Sequence, residues 1–266
     1  MVRAVAEEPI LLFERKSEHI GLVTFNRPAA LNALSAALAG ELARTVATIS
    51  GDDDLRVVVF TGAGNKAFCA GGDIKEFRSR TPARAFEISR QRQALFRAVE
   101  TLPQVSIAAI NGYAFGAGSE FALSCTLRVA SDRAKLGLPE LNLGIIPGAA
   151  GTQRLPRLVG KGRALDIILT GRTVSAEEAL RIGLVDRVVA NDRVLDEALE
   201  LAALIARKAP LAARLARKAI DVSFDSSIEE GGAMESAFLS VCFSSEDLQE
   251  GIAAFEEQRP PNFRGK

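Results

Sequence analysis

The sequence predicts an α/β fold that runs out into an all-helical C-terminal region. Two short apolar runs, Leu55-Arg56-Val57-Val58-Val59-Phe60 and Val105-Ser106-Ile107-Ala108-Ala109-Ile110, each empty into glycines and then into a helical stretch. Runs of this length and β-branched content read as strands covered on both faces. Their shared grammar of strand, glycine loop and helix marks a repeated supersecondary unit. From about residue 193 periodic Ala- and Leu-rich stretches take over, so the chain divides into a core, 1–192, and a helical region, 193–266.

The elements follow in order. Residues 10–15 and 20–25 are apolar runs separated by the polar turn Lys16 to Glu18, which predicts a hairpin or adjacent strands. After Asn26-Arg27-Pro28, Ser35 can cap a helix reaching about Ser50, with Leu38, Leu42, Val46 and Ile49 on one face. The strand at 55–60 opens into a glycine-rich loop, Thr61 to Asp73, and a polar helix follows over roughly 82–101. The strand at 105–110 leads through glycines to a helix over 117–125. In the C-terminal region Pro210, Gly231-Gly232 and Ser244-Ser245 punctuate successive helices. Their stripes are Leu195, Leu199, Ala202 and Leu204, then Leu211, Leu215 and Ile220, with Phe238, Val241 and Phe255 further on, and they read as core or subunit contact.

Composition removes several function classes. Lys and Arg number 33 and Asp and Glu number 33, so no global field draws this chain of 266 residues to nucleic acid or an anionic membrane. A phosphate-bearing ligand needs a local basic patch. The N-terminal Met1–Pro9 has acidic residues where a signal peptide keeps its apolar core, and no window approaches the roughly 18 apolar residues of a membrane span. A soluble cytoplasmic protein is expected. Cys69, Cys125 and Cys242 are widely spaced in apolar surroundings, as suits buried thiols better than disulfides or zinc ligands. The single histidine, His19, leaves no material for a His-dependent triad or a multi-His metal site, so carboxylates and backbone N–H groups are the available tools.

Gly62-Ala63-Gly64-Asn65-Lys66-Ala67 follows a strand and matches the loose G-x-G-x-x-A dinucleotide pattern. That pattern must enter a helix at once, whereas here Phe68-Cys69-Ala70-Gly71-Gly72 intervenes and its two glycines oppose helix by about 1 kcal/mol each. Glycine's other use is to bring backbone N–H groups close to a ligand oxygen. Two such loops could each offer one N–H to a single carbonyl, the one near Ala117 lying at a helix N-terminus where unpaired donors favour negative charge. Glu120 and Glu140 are ionisable groups among glycine and apolar neighbours, where a carboxylate loses hydration and its pKa rises. Either could be a structural partner of an arginine. Two of them beside glycine loops point to general acid–base chemistry.

Three segments, Ala67 to Lys75, Asn111 to Glu120, and Pro139-Glu140 through Pro147 to Leu155, resemble the crotonase, or enoyl-CoA hydratase/isomerase, family. The likeness begins at Asn26-Arg27-Pro28 with Leu31-Asn32-Ala33-Leu34 and closes with Gly251 to Phe255 and Asn262-Phe263. The resemblance implies a crotonase-like spiral of repeated ββα units with a C-terminal helical trimerisation region, assembled as a homotrimer or as a hexamer built from two trimers. It implies an acyl-CoA thioester substrate, coenzyme A arriving as part of that substrate with no prosthetic group; composition, not the resemblance, is what leaves metal, nucleic acid and membrane unexpected as partners. The N–H groups of Gly72 and Ala117 would form the oxyanion hole. Glu120 would hold and activate water while Glu140 exchanges the proton at C2, and Ala70, Asp73, Ile74 and Lys75 would contact coenzyme A.

Having both carboxylates favours hydration of a trans-2-enoyl-CoA. The alternatives are Δ3-Δ2 enoyl-CoA isomerisation, hydration of a specialised acyl group, or a CoA- or RNA-binding scaffold without turnover. The chain departs from the family pattern at Ala117, in the middle of the glycine triplet, and at Ala29 and Gln258, where relatives often carry cations. Lys75 and Arg27 are candidates to compensate.

Overall fold

The computed structural model describes residues 8–266, so residues 1–7 of the acidic N-terminal stretch lie outside it. The chain forms two compact units, the first ending at Glu200 and the second comprising Leu201–Lys266.

The first unit is wound turn by turn. Strands β1 (Leu11–Ser17) and β2 (Ile20–Phe25) form the expected antiparallel hairpin and lead to helix α1 (Ala36–Ser50). The next turn is β3 (Val57–Gly62), β4 (Ala67–Cys69) and α2 (Pro82–Glu100); the one after is β5 (Val105–Ile110), β6 (Tyr113–Phe115) and α3 (Ala117–Ser124). Then come β7 (Leu127–Ser131), β8 (Lys135–Gly137), a 3-10 turn (Glu140–Leu143), α4 (Gly151–Val159) and α5 (Lys161–Thr170), followed by β9 (Val174–Ser175), α6 (Ala176–Arg181) and β10 (Arg187–Val189). The strands make a six-stranded sheet, β1-β2-β3-β5-β7-β10, and a four-stranded sheet, β4-β6-β8-β9; in the pairs β3–β4, β5–β6 and β7–β8 the first strand joins the larger sheet and the second the smaller. This is the ββα spiral that the resemblance implies.

Local chemistry accounts for the elements that the sequence predicts. Ser35 Oγ accepts the Leu38 N–H at 3.2 Å, a cap worth about 1 kcal/mol. Leu38, Leu42, Val46 and Ile49 are all buried on one face of α1. Strand β3 starts two residues later than the apolar run, because its pairing with β2 begins at Ile20↔Val57.

Two expectations are corrected. The loop 61–73 and the glycines after residue 110 are not wholly irregular, since each contains a three-residue strand, and β4 and β6 pair with one another. Side-chain amides hold the approach to β4 in place. The fully buried Asn32 donates to the carbonyls of Ala63 (3.0 Å) and Ala67 (2.8 Å), and Asn111 donates to those of Gly62 (2.7 Å) and Gly64 (2.8 Å).

The second correction concerns the C-terminal helices: α7 (Val194–Ala206), α8 (Pro210–Val222), α9 (Ile228–Phe243) and α10 (Glu246–Glu256). Gly231-Gly232 lies inside α9 instead of ending a helix. A capping box, with Ser227 Oγ accepting the Glu230 N–H and Glu230 accepting the Ser227 N–H, nucleates the first turn and offsets the entropic cost of the glycines. Within this unit Asp247 is buried and accepts the N–H groups of Arg264 (2.6 Å) and Gly265 (2.9 Å), fastening the chain end to α10. Much of the unit's apolar surface remains uncovered, Ile228 being 97% and Phe255 86% exposed. Among the described residues no helix is long and apolar enough to cross a membrane.

Candidate active site

The site forms where β4, β6 and the loop after β8 come together. Phe121, buried one residue beyond Glu120, packs edge-on against Phe25, Phe60 and Phe96 at centroid distances of 5.2, 5.1 and 5.4 Å, which fixes the position of α3. The two glycine loops then meet without a gap. A Cβ on Gly118 would stand 1.9 Å from the Cys69 carbonyl oxygen, and one on Gly112 would stand 2.2 Å from that of Lys66. Only hydrogen fits at either place.

Beside this contact the N–H groups of Gly72 and Ala117 have no hydrogen-bond partner among the described residues. Leu34 and Gly72 form an isolated parallel bridge in which the Leu34 N–H bonds the Gly71 carbonyl (2.8 Å) and the Asp73 N–H bonds the Leu34 carbonyl (3.3 Å). In that pattern residues 71 and 73 face Leu34, so the Gly72 N–H points to the opposite side. Ala117 is the first residue of α3, its N-cap Gly116 has no side chain to cap it, and its N–H is one of the orphan donors of a helix start. The loops reach this position through left-handed backbone at Gly71 (φ 112°) and Gly116 (φ 51°).

Glu120 is 2% exposed, and its Oε1 accepts the N–H groups of Ala149 at 2.7 Å and Gly151 at 2.8 Å. The left-handed Ala150 (φ 71°) turns both donors inward. Helix α2 braces that turn, with Ser89 Oγ (2.6 Å) and Gln93 Nε2 (3.2 Å) donating to the Gly148 carbonyl. Arg154 donates to the Ala149 carbonyl at 3.0 Å and pairs with Glu100 at 3.0 Å. Burial raises the Glu120 pKa, against the two backbone N–H groups and the charges of Arg92 and Arg154.

Glu140 opens the 3-10 turn, and its Oε1 lies 2.9 Å from the point where a Cβ on Gly116 would stand. Its carboxylate therefore sits beside the helix start that carries the Ala117 N–H. Oε2 is buried and makes no hydrogen bond among the described residues. Burial, and next the Glu120 charge, push its pKa up to about 7. The arrangement is chemically unequal: one carboxylate has its charge supported by donors, and the other is poised to hold a proton near neutrality.

The residues predicted to contact coenzyme A lie on the rim. Ala70 is half-buried, its N–H donating to the Leu31 carbonyl at 3.0 Å, while Ile74 and Lys75 are exposed. The Asp73 carboxylate pairs with Arg27 at 3.1 Å, which lowers its pKa. Arg27 also donates to the Ala33 carbonyl, so it acts as a loop brace here. Burial holds the thiols of Cys69 and Cys125 up at about 11 and about 12, unsuited to nucleophilic work. Sequence reasoning missed Ser89, Arg92, Gln93 and Arg154, because on a polar helix nothing local separates a side chain that braces a distant loop from one that faces water.

A family model for enoyl-CoA hydratase/isomerase matches residues 15–266. A short-chain-enoyl-CoA hydratase from Clostridium acetobutylicum is 41% identical over 244 residues, 92% of this chain and 94% of that protein. A 2,3-dehydroadipyl-CoA hydratase from Escherichia coli is 39% identical over 255 residues, 96% and 99% of the two chains. The crystal structure of an enoyl-CoA hydratase from Bacillus anthracis superposes with a TM-score of 0.94 at 41% identity, covering 97% of this chain and all of that one.

Proposed function

We propose that this chain, which belongs to the enoyl-CoA hydratase/isomerase family, adds water reversibly across the double bond of a trans-2-enoyl-CoA to give a 3-hydroxyacyl-CoA. The observation that carries the reading is the pair of carboxylates of unequal basicity, Glu120 buried and Glu140 half-buried, beside two backbone N–H groups that have no partner among the described residues. The thioester oxygen accepts hydrogen bonds from the N–H groups of Gly72 and Ala117, so the negative charge that develops on it as the enolate forms is stabilised. Glu120, ionised, takes a proton from the water that attacks C3. Glu140, protonated, delivers its proton to C2. The substrate gains one water, and the site ends with the proton on the other carboxylate; return of the proton by way of solvent restores it.

The same rim residues, Ala70, Asp73, Ile74 and Lys75, are proposed to border coenzyme A, with Lys75 the exposed cation available to its phosphates. The reading is tested by mixing the protein with crotonyl-CoA and following loss of the enoyl-thioester ultraviolet absorbance. Turnover is expected, and Glu120→Gln is expected to lower it by about 10³-fold, the scale of a lost general base. Wild-type protein inert toward every trans-2-enoyl-CoA but active on a 3-enoyl-CoA would make it an isomerase instead.

The exposed apolar side chains of the second unit, Phe224, Ile228, Leu239, Phe243, Ile252 and Phe255, support assembly into a homotrimer or hexamer, since a monomer rarely leaves so much apolar surface in water. Light scattering after size exclusion is expected to give a mass three or six times that of the chain. A monomer at micromolar concentration would contradict this.

A further inference from the structure

Two guanidinium groups stand beside the site with most of their hydrogen-bonding capacity unspent. Arg80 stacks on the Phe77 ring, 4.3 Å from its centroid, pairs with Glu76 at 3.0 Å, and buries Nε with no hydrogen bond among the described residues. Arg92 gives Nη2 to the Leu34 carbonyl at 3.0 Å, the one hydrogen bond it makes among the described residues, out of five N–H donors. Its Nη1 and the Phe77 ring edge each lie 3.1 Å from the point where a Cβ on Gly72 would stand. Arg80 and Arg92 therefore flank one aromatic ring, at the edge of the residue whose N–H would hold the thioester oxygen.

Arg92 lies among charges of both signs. Burial and then the Arg80 charge lower its pKa, while the Glu76 and Glu120 carboxylates act to raise it. The nearby carboxylates are committed: Glu76 is held by Arg80 and by the Ala36 N–H at 2.9 Å, and Glu120 by its two backbone donors. From Lys75 to Arg97 the chain carries seven Lys or Arg against two Glu, although its net charge is zero. Neighbouring half-buried guanidiniums are stabilised by an anion that both can reach, and the planar arginine fork matches a carboxylate.

Resting on the hydratase reading, we infer that Arg92, with Arg80 beside it, is a subsite for a carboxylate on the acyl chain, so that the preferred substrates are trans-2-enoyl thioesters of dicarboxylic acids. The phosphates of coenzyme A are the other anions in such a substrate. They are separated from the thioester by the whole pantetheine arm, so an anion beside Gly72 comes from the acyl side.

The test compares kcat/KM for hexenoyl-CoA and its carboxylate-ended analogue hexenedioyl-CoA, and for the five-carbon pair pentenoyl-CoA and glutaconyl-CoA. The wild type is expected to favour the carboxylate-ended member of at least one pair by about tenfold to a hundredfold, the scale of a charge-assisted hydrogen-bonded pair. Arg92→Met is expected to remove that ratio whatever happens to the absolute rates, and Arg92→Lys to restore part of it. A wild-type preference for the methyl-ended member of both pairs, or a ratio that Arg92→Met and Arg80→Met both leave intact, overturns the subsite. Calorimetry with saturated adipoyl-CoA and hexanoyl-CoA reads the subsite without turnover. Tighter adipoyl-CoA binding, lost in Arg92→Met, supports the subsite even if no enoyl-CoA is hydrated, whereas hydration without any carboxylate preference overturns it and leaves the hydratase reading standing.

Discussion

Replacing Glu140 by glutamine is expected to lower hydration of crotonyl-CoA by about 10³-fold and, in the same molecule, to stabilise the fold above pH 7. The first effect follows from removing the group proposed to protonate C2. The second follows from its raised pKa. A free glutamate titrates near 4.5 and Glu140 at about 7, so the folded chain holds this proton more tightly than the unfolded one. Below pH 4.5 both states are protonated and the residue costs nothing. Between 4.5 and 7 the unfolded state ionises first, and native stability falls as pH rises; above 7 the full cost is present.

At ~1.4 kcal/mol per pH unit, reduced for a half-buried side chain, the cost is on the order of 2 kcal/mol. Glutamine cannot ionise, so Glu140→Gln escapes it. Urea denaturation at pH 5 and pH 8 should show the variant gaining on the wild type mainly at the higher pH. Equal stability at pH 8 would mean that Glu140 is not buried as a strained charge.

Gly118→Ala is expected to be the most damaging small substitution in the first unit. The added methyl would stand 1.9 Å from the Cys69 carbonyl oxygen and 2.7 Å from its carbon, both backbone atoms that cannot rotate away. Relief requires α3 to separate from the end of β4, and that moves the Ala117 N–H away from the Gly72 N–H. A loss of about 4 kcal/mol belongs to the exceptional tail of single substitutions, and displacing one of the two N–H groups proposed to hold the thioester oxygen is expected to cost about 10²-fold or more in turnover.

Gly232→Ala, inside α9 with nothing within 4 Å of the new Cβ, is the matched control. It should be neutral or stabilise by up to about 1 kcal/mol. A Gly118→Ala protein that melts and turns over like the wild type would show that the two loops are not a fixed seam.

The parts of this molecule legible in its sequence are those set by local rules. Ser35 with Leu38, Leu42, Val46 and Ile49 shows a cap and a buried face within one helix, and Val105 to Ile110 shows a buried strand by length and branching. Strands β4 and β6 were hidden because they are three residues long, lie among glycines, and depend on pairing within the small sheet and on the clips from Asn32 and Asn111. Gly231-Gly232 misled for the opposite reason, since a capping box at Ser227 and Glu230 outweighs two weak helix formers.

The two glutamates stood out as ionisable groups in apolar loops. Their inequality did not, because it depends on the N–H groups of Ala149 and Gly151 turning toward Glu120 while Glu140 Oε2 receives no donor. Arg92 was invisible as anything but a polar helix residue. Its approach to Gly72 spans twenty positions of chain and arises only when α2 folds back over the loop.

In the proposed mechanism one proton is shared between Glu120 and Glu140, and its position decides the direction of reaction. Hydration neither consumes nor releases a proton overall, so the forward and reverse reactions must start from the same singly protonated pair, differing only in which carboxylate carries the proton. The pH dependence of kcat/KM, measured for crotonyl-CoA hydration and for 3-hydroxybutyryl-CoA dehydration, reports the free enzyme's pair directly. The expected result is one shared profile in both directions, falling above about pH 7 as the pair loses its proton. A kcat/KM that stays level to pH 9 in both directions would contradict a proton-sharing pair of glutamates at this site.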